Sequence, residues 1–93
     1  MFYTRAVAVV GASKNTKKMG YHVLKSLVEG GFKGPIYPVN PGYRSIMGLK
    51  AYPKLRDVPG RVDLAIVAVP AKAALEVLEE CGEAGVKGAV LIT

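Results

Sequence analysis

Apolar and polar positions change period several times along this chain, and each change marks an element. From Ala6 to Val10 the residues are apolar at successive positions, so Arg5–Val10 predicts a parallel strand covered on both faces. The run stops at Gly11, and the polar stretch Ala12-Ser13-Lys14-Asn15-Thr16-Lys17-Lys18 leads into a helical pattern. Over Met19–Glu29 the residues Val23, Leu24, Leu27 and Val28 form one stripe, with Lys25, Ser26 and Glu29 opposite, and Gly30-Gly31 ends the helix. A second strand is predicted over Pro35–Val39, closed by the turn Asn40-Pro41-Gly42. Lys50-Ala51-Tyr52 reads as a short edge strand, which Pro53 keeps from being a long central one, and Lys54–Val58 as one helical turn. Asp63–Val69 is a further continuous apolar run, halted by Pro70. Ala71–Ala84 places Ala74, Val77, Leu78 and Cys81 at i, i+3, i+4 and i+7, with Glu76, Glu79, Glu80 and Glu83 on a solvated face. Gly85 ends that helix, and Gly88–Thr93 predicts the last strand.

Strand and helix alternate, which predicts an α/β domain: right-handed crossovers, a parallel sheet and helices on both faces. The expected strand order is 3-2-1-4-5, the third and shortest strand lying at the edge. In such sheets ligands bind beyond the carboxyl ends of the strands, where the chain order reverses. Gly11–Lys18, Asn40–Arg44, Val69-Pro70-Ala71 and Ile92-Thr93 meet there. The first of these joins a strand to a helix, so free backbone N–H groups and the positive end of the helix dipole converge on it. Lys17 and Lys18 sit where the dipole disfavours cations by roughly 0.3–1 kcal/mol each, a placement that an anion at this corner would explain.

Composition narrows the ligand. Ninety-three residues, 51% of them hydrophobic, make one small globular domain over 1–93. No apolar run approaches the roughly 20 residues of a membrane span, and the amino terminus lacks the layout of a signal peptide. The lone Cys81 excludes an internal disulfide framework and fits a reducing compartment, so a cytoplasmic location is expected. The net charge of +6 is uneven: residues 1–60 hold ten Lys/Arg against two acids, whereas residues 61–93 hold three against five. A basic half implies an anionic partner. The cations are scattered over turns and helix faces with no basic helix or aromatic-basic sheet motif, which points away from nucleic acid and towards a small phosphorylated molecule.

Two phosphate fingerprints can be tested by position. The residue five after Gly11 is Thr16, so the Gly-x4-Gly-Lys-Ser/Thr loop is absent. In Gly-x-Gly-x-x-Gly, only Gly11 matches, with Ser13 and Thr16 at the other two glycine positions. The second strand ends in Asn40-Pro41, with Arg44 nearby and no carboxylate to take a ribose 2′-hydroxyl. This favours a ligand with an additional ribose phosphate, which leaves NADP and coenzyme A. His22 has no acid near it in sequence, Cys81 lies on an apolar stripe, and no set of His, Cys, Asp and Glu has metal-ligand spacing. No catalytic or metal residues are expected. Tyr21 and Tyr43 are aromatic candidates for covering an adenine.

Val9-Val10-Gly11-Ala12-Ser13, Tyr37-Pro38-Val39-Asn40-Pro41, Leu64–Val69-Pro70 and Gly85-Val86-Lys87-Gly88, taken in order, resemble the CoA-binding domain of NDP-forming acyl-CoA synthetases. That group includes ADP-forming acetate–CoA ligases and is related to the α subunit of succinyl-CoA synthetase; stand-alone CoA-binding proteins share the domain. The resemblance covers nearly the whole chain and implies a Rossmann-like fold that binds coenzyme A or an acyl-CoA. By this resemblance Gly11, Ala12, Ser13, Lys14, Asn15, Thr16 and Lys17 face the CoA phosphates. Asn40, Pro41 and the residues after them, Arg44 included, approach the adenosine. Val69 and Pro70 line the cleft, and Ile92 and Thr93 open a loop beside the pantetheine arm. Succinyl-CoA synthetase relatives place a lysine after the Pro-Gly, where this chain has Tyr43. The family's last strand continues beyond the position of Thr93, so the domain reads as truncated on its carboxyl side and prone to self-association. The resemblance also implies partner domains or a subunit carrying the phosphohistidine and ATP-grasp functions. The alternatives are an NADP-binding domain of an oxidoreductase or redox sensor, and a regulatory nucleotide-binding module.

Overall fold

Strand β1 (Val7–Val10) runs through the middle of the sheet because every one of its side chains is apolar and buried. The computed structural model describes residues 5–92. Helix α1 (Met19–Glu29) follows β1, then β2 (Ile36–Val39), a hairpin of β3 (Ser45–Ile46) and β4 (Leu49–Lys50), and a 3-10 turn at Leu55–Asp57. β5 (Leu64–Val67), α2 (Ala71–Glu83) and β6 (Gly88–Leu91) complete the order. The main sheet is parallel, in the order β2-β1-β5-β6. Val7 pairs with both Ile36 and Leu64, and Val10 with both Val39 and Val67, so β2, β1 and β5 are in register and end together.

The period-2 geometry of β1 divides the core between two layers. Val7 and Val9 face Leu24 of α1, with Ile46 of the hairpin and Ala51 in the same cluster. Ala8 and Val10 face the other side, where Cys81 of α2 packs with Val39, Leu55, Val62 and Ala65. Each fully buried aliphatic side chain of this kind contributes about 1.5–3 kcal/mol of hydrophobic stabilisation. Both faces of β1 are therefore covered by chain that follows it, and only α/β crossovers achieve that.

The order 3-2-1-4-5 needs correction at its edge. The inner order is as expected, but Lys50-Ala51-Tyr52 does not add a fifth strand. Leu49–Lys50 instead turns back on Ser45–Ile46 as an antiparallel pair, and Tyr52 makes a single parallel bridge to Val39. Two hydrogen bonds form there, from Tyr52 N–H to Pro38 O (2.9 Å) and from Asn40 N–H to Tyr52 O (2.8 Å). Pro38 has no N–H to offer along this edge, which keeps the ladder from extending back along β2. The hairpin turn Met47-Gly48 has positive φ at both residues (52° and 78°), the arrangement that closes two-residue hairpins. The helix boundaries are those expected, to within one residue at the end of α2. The strands are shorter by one to two residues at their ends.

At the far side of the sheet, β6 has no strand on its outer edge among the described residues. Val90 and Leu91 are nearly half exposed, and Leu75 and Leu78 of α2 are exposed as well, Leu75 at 68%. An unpaired apolar edge recruits other chains. The isolated chain is expected to elute from size-exclusion chromatography above monomer size at tens of micromolar, and the double variant Leu75→Lys/Val90→Lys at monomer size. Monomeric elution of the unsubstituted chain would contradict this.

Candidate functional site

All four parallel strands present their carboxyl ends at one rim, and the loops leaving β1, β2 and β5 build the site. Gly11 N–H still donates to Val39 O (2.9 Å) and Ala68 N–H to Val10 O (2.8 Å), so the strands hold each other until the chain turns away. Gly11 makes the turn at φ 91°, and a Cβ there would lie 2.4 Å from Ala68 O. Gly20, in the first turn of α1, is buried against that same turn. A Cβ on it would meet Gly11 O at 2.0 Å. Two missing side chains thus let α1 begin directly beside the end of β1. The helix begins at Lys18 with no side-chain cap and no acidic residue in its first turn. Its unpaired N–H groups and positive dipole end face the rim together with exposed Lys14, Lys17 and Lys18.

Inside the loop, side chains hold the backbone. Ser13 is buried, and its hydroxyl oxygen accepts from Asn15 N–H (2.9 Å) and lies 3.3 Å from the Tyr43 hydroxyl. Asn15 Oδ1 accepts from Lys17 N–H (2.9 Å). Asn40 ties the second loop to the first: its Nδ2 donates to Ala12 O (2.8 Å) and its Oδ1 accepts from Gly42 N–H (2.8 Å). Both polar ends of Asn40 are engaged by the protein itself, which makes it the brace between the tips of β1 and β2.

Beside this brace a half-open slot of about 260 Å³ runs between β1, the 53–55 segment and α2. Of the residues expected at the site, Gly11, Asn40, Pro41 and Val69 line it together. Ala12 and Ser13 are buried behind the loop, and Lys14, Asn15, Thr16 and Lys17 are exposed on it. Pro70 is the N-cap of α2, Arg44 is exposed just before β3, and Ile92 N–H donates to Val67 O (2.9 Å) at the end of β6. Thr93 lies outside the described residues. Pro53, Leu55, Ala73 and Val77 also wall the slot. Periodicity marks Val77 as apolar, but nothing in the pattern says that the 53–55 turn folds over it. Glu76 and Glu80 line the slot as well, so the glutamates of α2 do not all belong to one solvated face. A larger hollow of about 610 Å³ opens at the opposite, amino rim among Arg5, Pro35, Arg61, Asp63 and Lys87, and it touches none of the expected residues.

The reactive side chains stay out of the site. His22 is exposed on α1, edge-on to the Tyr21 ring at 5.3 Å. Cys81 is buried among apolar residues, and burial, helped by the Glu80 charge, pushes its thiol above the ordinary value, so it is a poor nucleophile. Among the described residues no His, Cys, Asp and Glu cluster to hold a metal ion, and no helix is long and apolar enough to cross a membrane.

Residues 5–93 match the family described as CoA binding domain. The chain is 48% identical over 93 residues to the ADP-forming acetate–CoA ligase II of Archaeoglobus fulgidus, covering all of this chain and 14% of that one. It is 50% identical over 93 residues to the α subunit of ADP-forming acetate–CoA ligase II from Pyrococcus furiosus, 99% of this chain and 20% of the subunit. Among solved structures, a dinucleotide-forming acetyl-coenzyme A synthetase 1 from Ca. Korarchaeum cryptofilum, in complex with phosphate and ADP, superposes with a TM-score of 0.92 at 53% identity. It covers 95% of this chain and 19% of that one. The chain thus spans about a fifth or less of the length of these relatives. With a parallel Rossmann-like sheet, a cationic glycine-turn loop and full-length likeness to CoA ligases, the chain belongs to the CoA-binding domain family and is homologous to a segment of ADP-forming acyl-CoA synthetases.

Proposed function

We propose that this domain holds coenzyme A, or an acyl-CoA, across the carboxyl rim of its sheet, as part of an ADP-forming acyl-CoA synthetase of the acetate–CoA ligase type. The observation that carries the reading is the junction of two unlike surfaces at Gly11. One is a loop with an uncapped helix start and three exposed lysines. The other is the adjoining slot lined by Val10, Pro41, Leu55, Val69 and Val77. Coenzyme A has the same division, a polyphosphorylated part joined to a flat base and a mostly apolar arm. Lys14, Lys17 and the N–H groups at the start of α1 meet the phosphates, with Arg44 in reach of the second loop. Gly11, Asn40, Pro41 and Val69 bound the adenosine side, and Pro70 and Ile92 border the arm. When bound, the coenzyme supplies a thiol that carries an acyl group as a thioester; this domain positions it. Bond-making requires groups outside these 93 residues, a phosphohistidine segment and an ATP-grasp unit, and the setting is the cytoplasm.

Thermal melts with CoA, acetyl-CoA, NADP and NAD test the reading. A ligand at about a hundred times its dissociation constant adds roughly 2.7 kcal/mol. In a domain of this size that raises the midpoint by about 10 °C or more, at roughly 4–8 °C per kcal/mol. CoA and acetyl-CoA are expected to give this shift and NAD none. A shift with NADP and none with CoA would overturn the proposal.

A further inference from the structure

Tyr43 reaches the phosphate loop from the other side of the rim. Its N–H closes the turn of the second loop on Asn40 O (3.4 Å), and its ring is half-buried against the α1-side core. Its hydroxyl lies 3.3 Å from the buried Ser13 hydroxyl. The Lys14 ammonium stands 5.6 Å from the ring centroid. The phenol is thus met by the Ser13 hydroxyl at its oxygen and by the Lys14 ammonium over its ring. This is the donor set that a phosphate oxygen takes at the start of a helix. The phenol feels that environment: the Ser13 hydroxyl first, then the Lys14 N–H, hold it below its ordinary value of 10.0 against some desolvation, and the Lys14 and Lys18 charges add to the effect.

We infer that Tyr43 is the gate of the phosphate loop, its hydroxyl competing with a ligand phosphate oxygen for the Ser13 hydroxyl and its ring holding the Lys14 ammonium. The inference rests on the reading of this loop as the phosphate site. A tyrosine at this position makes the loop selective, because only a ligand whose phosphate outcompetes a neutral phenol opens it. Once displaced, the ring lies next to the bound phosphates and the Lys14 side chain is released to them. A tyrosine that merely braced the loop would act in the opposite sense, and its loss would weaken binding.

Titration calorimetry with two probes, coenzyme A and inorganic pyrophosphate, separates these cases in the unsubstituted chain and in Tyr43→Phe, which keeps the ring and its packing. The gate predicts that Tyr43→Phe binds both probes about three- to tenfold tighter near neutral pH, the worth of one competing hydrogen bond. The gap should widen as pH rises towards 10, because the phenolate that forms only in the unsubstituted chain competes better still. Tyr52→Phe, which loses a hydroxyl away from the loop, should match the unsubstituted chain. Equal or weaker binding by Tyr43→Phe, or a gap that does not grow with pH, would overturn the gate. Binding of pyrophosphate without coenzyme A would sink the coenzyme reading and leave the gate to be judged on pyrophosphate. Failure of every protein to bind either probe would overturn both.

Discussion

Gly20→Ala is expected to destabilise the domain by about 1–3 kcal/mol or more and to abolish ligand binding, although the same substitution helps most helices. In an ordinary helix interior, alanine is preferred to glycine by roughly 0.5–1 kcal/mol. Here the new methyl carbon would stand 2.0 Å from the carbonyl oxygen of Gly11, and backbone cannot step aside as a side chain does. Helix α1 must then lift away from the end of β1, which pulls its N–H groups off the loop they serve and opens the core around Leu24. Gly82→Ala supplies the internal contrast. Gly82 is exposed in the last turn of α2, with nothing within 4 Å of where a Cβ would stand, so the substitution should add several tenths of a kcal/mol of stability. Urea unfolding of both variants reads the two signs side by side; a neutral Gly20→Ala would mean that α1 does not seat on Gly11.

Asn40→Asp should produce the second-largest loss. Asn40 Nδ2 donates to Ala12 O at 2.8 Å, and an aspartate would set a carboxylate oxygen against that carbonyl while keeping the bond from Gly42 N–H. The lost donor leaves two facing acceptors, worth about 1–3 kcal/mol of stability. The added negative charge sits beside the loop proposed to take the phosphates, so affinity for coenzyme A should fall at least tenfold. Asn40→Ala breaks the brace without adding charge. Affinity of the aspartate variant below that of the alanine variant isolates the charge, and the excess should shrink as salt rises towards 1 M. Equal affinities in the two variants would place the phosphates away from Asn40.

These two residues also show how far a sequence carries. Gly11 and the lysine-rich loop after it are legible because an apolar run ending in glycine before a helical stripe has few other meanings. The same holds for α1, whose bounds the stripe of Val23, Leu24 and Leu27 and the following glycines define. Gly20 is different. Inside a helical pattern it looks like a weakness, and only the approach of Gly11 explains it. Asn40 reads as a turn residue, and the fold adds that its Oδ1 closes its own turn on Gly42 while its Nδ2 ties that turn to Ala12 of the first loop. Ser13, polar and in a loop, is buried because Asn15 N–H and Tyr43 close around it, partners 2 and 30 residues away. The hairpin 45–50 escaped the pattern because two-residue strands are too short to show a period, and Met47 gives no sign of its positive φ.

What the chain determined alone was its local order: which segments are strands, which are helices, where each turns, and that a cationic corner follows the first strand. Hydrophobic period and glycine placement are properties of neighbouring residues, so they survive without a fold. Tertiary structure decided which side chains meet across the rim. It put the 53–55 turn over Val77 to make a slot, spent Ser13 and Asn40 as braces, brought Glu76 and Glu80 to the edge of the slot, and set the Tyr43 hydroxyl beside Ser13. Each of these is a contact between residues far apart in sequence, and no local period encodes such a distance.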